Sequence, residues 1–359
     1  MRITRIETLV VRLPVDPAGQ GGTGEWPIVL IHTDQGLQGM GRGGDPRVIA
    51  RDLAPLLIGR DPLSIAQLWE QMYEAVWRGP GRSAMSSIGA IDVALWDLCG
   101  KICGQPVWRL LGGYRDKIPV YADGAGYQNA LDQSPQGIAK QVKKFIDLGY
   151  DAVKIHMYRA ANPAEVVERV QHSRELIGPR KKLMIDVHRA WDGDEAVATA
   201  RQLEDYQLYW IEEPVRQDDE LYYMRKVQEV TTALVVGGEE EGTLHGIRRL
   251  LEAEALEVVQ TDILAGGGYT GLKRIAALAQ AFDVLISPHG AQYPDINCHL
   301  MAAVPNSLIM SACPESESHQ IWSRMYNPPL KVENGHIAMR EQPGLGLELD
   351  WEFVERHQV

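Results

Sequence analysis

The sequence is short of the features that mark several classes of protein. Four cysteines (Cys99, Cys103, Cys298 and Cys313) in 359 residues are too few for a disulfide framework. Cys99 and Cys103 stand four apart on an expected helix and are read as buried free thiols. No apolar run approaches the roughly 18 residues that a membrane-spanning helix needs. The opening MRITRIETLVVRLPV alternates apolar and polar residues and lacks the apolar core of a signal peptide, so the cytoplasm is the expected location. Positive charge is also scarce: 36 Lys and Arg face 48 Asp and Glu, a net charge of −12. That balance argues against nucleic acid or an anionic membrane surface as a partner. An anionic substrate would have to be held by a local cation. There is no G-x-S-x-G elbow and no cysteine cluster with metal-ligand spacing.

What is present suits a soluble globular protein with a barrel of about 250 residues and a smaller domain. Residues 3–13 and 27–33 read as strands, separated by the loop-forming DPAGQGGTGEWP. Ser64–Trp77 and Ser87–Leu98 carry helical periodicity, so the opening reads as an α+β unit. From about residue 118 the pattern changes. Short apolar runs occur at PVYA (from Pro119), 152–156, 183–187, 208–212, 234–239, 258–262, 284–288 and 307–311, with helix-compatible stretches between them, such as Glu165–Ile177 and Leu272–Phe282. Unbroken apolar strands alternating with helices are what a closed parallel barrel requires, because its strands are buried on both faces. A doubly wound open sheet is the competing reading. The extended, Pro- and Gly-bearing tail (329–352) is expected to leave the barrel and pack on the N-terminal unit. The expected division is therefore 1–115 as a capping domain, 116–320 as the barrel and 321–359 as the returning segment.

Polar residues mark the ends of these strands: Lys154 and His156, Asp186 and His188, Glu212, Glu239, Asp262, and His289. Barrel active sites lie at the carboxyl ends of the strands, so the series is expected to converge on one bowl. Asp186, Glu212 and Glu239 are separated by 26 and 27 residues, one strand–helix unit each. Three clustered carboxylates raise each other's pKa unless a cation lies among them, and an all-oxygen set favours Mg²⁺ or Mn²⁺ over zinc. Asp262 and His289 follow on the next two strands, and an aspartate beside a histidine fixes its tautomer and makes it a general base. Lys154 and His156 alternate with Ile155 and so point to one side. His188 is placed to reach a group held on the metal. Trp191 is a candidate wall of the site. Gly266, Gly268 and Gly271 match G-x-G-x-x-G but read as a tight turn beside the site rather than a dinucleotide cradle. Glu213, Glu240 and Glu241 read as supporting or surface groups.

With these residues in place the chain resembles the enolase superfamily, in its mandelate-racemase-like branch. The resemblance runs through AIDVALWDLCGKICGQPVWRLLGG (90–113), AVKIH, MIDVH, WIEEP, VVGGE, QTDILAGGGYTG, ISPHG and PGLGLELD, which cover essentially the whole chain. It implies a modified (β/α)7β TIM-type barrel with an α+β capping domain built from the N-terminal region and the C-terminal tail. It further implies Mg²⁺ (or Mn²⁺) on Asp186, Glu212 and Glu239, and a His289–Asp262 dyad that removes the α-proton of a carboxylate substrate to give an enediolate. Lys154 matches the lysine that contacts the substrate carboxylate. His156 departs from the pattern, standing where many relatives carry a second lysine as base. The Asp-x-His at 186–188 resembles galactonate-type dehydratases, in which the histidine protonates the departing 3-hydroxyl. Glu315 is the nearest candidate for the glutamate that usually ends the last strand. The implied activity is dehydration of an aldonic or aldaric acid to a 2-keto-3-deoxy acid by a homo-oligomeric enzyme. A racemase, epimerase or cycloisomerase is the alternative.

Overall fold

The computed structural model describes residues 1–12, 24–76, 81–126, 132–157, 162–217, 220–312, 325–328 and 330–359. Strands β1 (Ile3–Arg12), β2 (Glu25–Thr33) and β3 (Gln38–Arg42) form an antiparallel sheet in that order. The sequence shows little sign of β3, because two of the five residues of QGMGR are glycine and only Met40 is strongly apolar. Those glycines answer to sterics. A Cβ on Gly39 would lie 2.2 Å from the carbonyl oxygen of Ala94, and one on Gly41 2.1 Å from that of Ala90. The strand therefore lies flat on the helix Arg82–Cys103, a close approach that outweighs the low strand propensity of glycine. That helix extends beyond the expected 87–98 and stops where Gly104 turns left-handed at φ 63°. As its last residue, Cys103 swings off the packed face and is exposed, which corrects the expectation of burial. Cys99 is partly buried, Cys298 is buried, both are free thiols, and Cys313 lies outside the described residues. The helix Ile65–Val76 completes the unit, burying Leu68, Trp69 and Met72.

The second body is a closed barrel. Its strands are β4 (Lys117–Ala125), β5 (Ala152–His156), β6 (Lys182–Asp186), β7 (Trp210–Glu212), β8 (Leu234–Gly237), β9 (Val258–Val259), β10 (Leu285–Ile286) and β11 (Met310–Ala312). Neighbours from β4 to β10 pair in parallel, and β11 returns to pair with β4. The remaining seam is spanned by the Ile286–Ser307 bridge and by Leu308 N donating to Ile286 O at 2.9 Å. An open doubly wound sheet is thereby excluded.

Strand alternation sorts the interior into layers. Tyr121, Ala152, Met184, Trp210, Val236 and Val258 form an apolar plug with Ile309. Two residues further along four of these strands stand Asp123, Lys154, Asp186 and Glu212, one layer closer to the carboxyl ends. The other parity (Val153, Ile155, Leu183, Ile185, Ile211, Val235) packs outward on the helices. The polar floor of the site thus rests on a packed apolar base.

The tail ties the two bodies together. His336–Ala338 pairs antiparallel with Lys117–Pro119, and Val359 N donates to Val10 O at 3.0 Å. Asp97, buried in the helix Arg82–Cys103, accepts from Met40 N at 2.8 Å, Leu345 N at 2.8 Å and Lys101 Nζ at 2.6 Å. Buried His299 makes a second stitch: its Nδ1 accepts from Trp108 N and its Nε2 donates to Leu345 O, both at 3.2 Å. This arrangement fits only the neutral ring, and burial pushes its pKa down from 6.5 to about 4. The unfolded chain therefore takes up this proton first. The stability held by His299 is intact above pH 6.5 and is lost as pH falls from there towards 4, a change on the order of 3 kcal/mol. Denaturant titrations between pH 7 and 4 should show a flatter acid limb for His299→Gln than for the parent protein. Equal acid slopes would show that His299 is not responsible.

Candidate active site

Following the barrel from β4 to β10, each strand or its end contributes polar side chains to one bowl: Asp123, Lys154 and His156, Asp186 and His188, Glu212, Glu239, Asp262, then His289. Ser311 on β11 closes the ring. The β6–β7 register sets Asp186 directly beside Glu212, and the β5–β6 register sets His156 beside Asp186. The side chains of His188 and His289 remain 25% and 29% exposed, whereas that of Lys154 is 2% exposed. The two histidines therefore face the mouth and the lysine forms the floor.

Lys154 Nζ donates to both Glu212 oxygens, at 2.9 and 3.0 Å, and lies 3.5 Å from Asp123 and 3.6 Å from Asp186. Burial alone would discharge it, but Asp123 and Glu212 prevail and hold its pKa well above the usual lysine range. Glu212 shows the opposite balance. Burial and then Asp186 push it up to about 8, against the pull of Lys154. Glu239 is raised as well, by burial and by Asp186 against the pull of His289. Burial works against charge on Asp186, but Lys154, His156 and His188 hold its pKa below the usual carboxylate range, and its charge in turn opposes ionisation of Glu212 and Glu239. In its chemistry an all-carboxylate set of this kind suits a hard divalent cation, while among the described residues the ligand atoms gathered within 4.8 Å of one another are those of His156, Asp186 and His188.

On one side of the carboxylates, His289 Nδ1 meets Asp262 Oδ2 at 3.2 Å, while its Nε2 lies 3.4 Å from Glu239. Asp262 is fixed by accepting from Leu264 N at 2.8 Å and Ala265 N at 3.1 Å. Burial works against charge on His289, but Glu239 and Asp262 raise it to about 10. Asn297 Nδ2 donates to the carbonyls of His289 and Gly290, at 3.2 Å each, and so holds the loop. Buried Arg42, on β3, reaches Gln292 O at 2.5 Å and Asp295 at 3.1 Å, clamping the same loop from the capping domain.

On the other side, His156 Nε2 lies 2.5 Å from Asp123 Oδ1, and Ser311 Oγ donates to Asp123 Oδ2 at 2.6 Å. The other ring nitrogen of His156 is 2.9 Å from His188 Nε2, and Asp186 Oδ2 lies 3.4 Å and 3.3 Å from the two rings. His156, Asp186 and His188 thus form a compact group whose ligand atoms lie within 4.8 Å of one another. Both nitrogens of His156 are engaged. Burial leaves His188 with a pKa of about 4, despite the pull of Asp186.

Asp123 and Ser311 are site groups that the strand-end reading missed. Ending the first barrel strand at Ala122 stopped it one residue short of Asp123, although β4 runs on to Ala125. Glu213 is buried beneath the site. Glu240 pairs with Arg82 and Glu241 accepts from Thr243 N at 2.9 Å. Arg82 also donates to Glu239 O at 3.3 Å, a capping-domain cation at the rim that the sequence reading did not single out. Trp191 is fully buried in the core, with its backbone bridged to Val215, a packing position rather than a solvent-facing wall. Glu315 lies outside the described residues.

The glycines at 266–271 make a turn into the helix Gly268–Ala281. Asp92 of the capping domain fills that helix start, accepting from Thr270 N at 2.9 Å. A carboxylate already occupies the position a pyrophosphate would take, which bears out the tight-turn reading. Among the described residues, no helix is long and apolar enough to cross a membrane.

Comparison with known proteins agrees with this geometry. Residues 5–112 match the mandelate racemase / muconate lactonizing enzyme N-terminal domain, and residues 137–353 match the enolase C-terminal domain-like family. A D-xylonate dehydratase of Haloferax volcanii is 32% identical over 94% of this chain and 86% of its own. A 3,6-anhydro-alpha-L-galactonate cycloisomerase of Streptomyces coelicolor is 32% identical over 99% of both chains. The crystal structure of a racemase from Streptomyces coelicolor A3(2) with bound magnesium superposes with a TM-score of 0.87 at 30% identity, covering 99% of this chain and 100% of that one. The chain belongs to the mandelate racemase / muconate lactonizing enzyme family, with its two-domain enolase-type fold.

Proposed function

We propose that the protein is a Mg²⁺-dependent (or Mn²⁺-dependent) dehydratase of aldonic or aldaric acids. The observation that carries this is the disposition of the two histidine systems. His289–Asp262 and Asp123–His156–His188 flank the row Asp186, Glu212 and Glu239 from opposite sides of one bowl. Elimination of water needs a base at C2 and an acid at the 3-hydroxyl, and the bowl offers one group for each.

Asp186, Glu212 and Glu239 are the residues that would hold the divalent ion, which supplies positive charge to offset the negative charge that builds on the substrate carboxylate during proton removal. Lys154, on the floor, adds a second positive charge for that carboxylate. His289 in its neutral form accepts the C2 proton on Nε2 while Asp262 secures Nδ1, and the electrons of the C2–H bond pass into the enediolate; a cation held by Glu239 would remove the negative charge that otherwise keeps the ring protonated. Collapse of the enediolate breaks the C3–O bond. His188 delivers a proton to the departing hydroxyl, which leaves as water, and His156 stands next to His188 to replace that proton. The enol then ketonises to a 2-keto-3-deoxy acid. Support comes from the D-xylonate dehydratase relative.

A cycloisomerase or racemase is the second reading, favoured by the relatives that carry those names. A panel of sugar acids with Mg²⁺ in D₂O separates the two. Formation of 2-keto acid is the expected result, and deuterium uptake at C2 without loss of water would overturn dehydration in favour of the second reading. The same proposal takes residues 1–115 as the cap, 116–320 as the barrel and 321–359 as the returning segment. It also takes the protein as a cytoplasmic homo-oligomer acting on small carboxylates.

A further inference from the structure

Seven described residues other than glycine have positive φ, among them the proposed acid His188 at 50° and two residues beside it, Arg189 at 58° and Glu213 at 45°. His188 and Arg189 are consecutive. Two left-handed non-glycine residues in a row are unfavourable for L-amino acids and persist only where the surroundings hold them. The surroundings here are specific. Arg189 N donates to Glu213 O at 2.8 Å, and Arg189 Nε donates to Glu213 Oε2 at 2.6 Å. The other carboxylate oxygen, Oε1, accepts from Gly238 N at 2.8 Å and from Glu239 N at 3.2 Å. Glu213 N donates in turn to Val236 O at 2.9 Å. One buried carboxylate therefore joins the loop after β6, which carries His188, to the loop after β8, which carries Glu239. Arg189 Nε is thus a side-chain donor to Oε2, and Arg189 Nη1 also reaches Gln217 Oε1 at 3.3 Å.

We infer that Arg189 is a positioning residue that, through Glu213, holds His188 in the left-handed turn aiming its ring at Asp186 and His156. The inference rests on the dehydratase reading above. The turn lies between the end of β6 at Asp186 and the helix that starts at Gly193, where Val187 N and Arg189 N donate to Glu212 O and Glu213 O at 3.0 and 2.8 Å. What it sets is the direction in which the His188 imidazole leaves the backbone. His289 lies four strands away, on the loop after β10, and is held there by Asp262 and Asn297. Loosening the Arg189–Glu213 clamp should therefore impair protonation of the leaving hydroxyl while sparing removal of the C2 proton.

The test is the ratio of two rates on the Mg²⁺-loaded full-length protein: deuterium incorporation at C2 in D₂O and formation of 2-keto acid. In Arg189→Ala, dehydration should fall on the order of 10²-fold through misplacement of the acid. Exchange should stay within about threefold of the parent, the signature also expected of His188→Asn. Arg189→Lys, which keeps the charge but loses the fixed fork, should recover part of the ratio. Glu213→Gln supplies the same readout if the alanine variant does not fold. Exchange and dehydration falling together, or neither falling, in the folded variants would overturn the inference. A parent protein that exchanges C2 deuterium without dehydrating any acid sugar would instead refute the dehydratase reading on which the inference stands.

Discussion

His289→Asn is expected to lower C2 proton exchange and dehydration together, by about 10²- to 10⁴-fold, the usual worth of a positioned general base. Asparagine can keep a hydrogen bond to Asp262, so the loop and the fold should survive, but it cannot accept a proton from carbon. The neighbouring geometry makes the effect specific. His289 Nδ1 is taken by Asp262 at 3.2 Å, which leaves only Nε2 facing the mouth. No other imidazole stands on this side of the ring among the described site residues; His156 and His188 are on β5 and after β6. Stopped assays of deuterium uptake and of 2-keto acid check this. Full retention of both rates would assign the base elsewhere.

The second large effect concerns the floor. Lys154→Met is expected to destabilise the metal-free protein by about 3–5 kcal/mol, the cost of removing one partner from a buried ion cluster. Lys154 lies within 3.6 Å of Glu212, Asp123 and Asp186, all three of them buried. Without the ammonium, these carboxylates lose their nearest positive charge and must take up protons or find another cation. Added Mg²⁺ should therefore raise the Tm of Lys154→Met more than that of the parent, by linkage to a cation that binds the folded state. Turnover should stay low even when stability is restored, because the charge opposite the substrate carboxylate is gone. A variant as stable as the parent, or one indifferent to Mg²⁺, would show that Lys154 does not neutralise this cluster.

The barrel and most of the bowl were legible in the sequence because parallel strands buried on both faces leave continuous apolar runs, and functional side chains sit where those runs stop. Glu212 and Asp186 could be placed to the residue. What escaped notice has physical reasons. Asp123 follows an apolar run that stops at Ala122, and it is the pairing of β4 with β5 that carries the strand past it. β3 is written in glycines whose purpose, contact with the carbonyls of Ala90 and Ala94, lies 50 residues away in the chain. The adjacent glutamates of WIEEP look equivalent in sequence. The backbone turns left-handed at Glu213, so Glu212 stays inside the barrel while Glu213 goes beneath the loops. Trp191 sits between Asp186 and the next helix and reads as part of the bowl, yet its indole is spent on the core.

The claim beneath all of this is that Asp186, Glu212 and Glu239 grip one divalent ion. Crystals of the protein grown with Mn²⁺ and measured at the manganese edge test it most directly. The expected result is a single anomalous peak within bonding distance of oxygens from all three carboxylates, with Lys154 displaced from Glu212. A peak seated on His156, Asp186 and His188 instead, or none among the three acids at saturating metal, would contradict it.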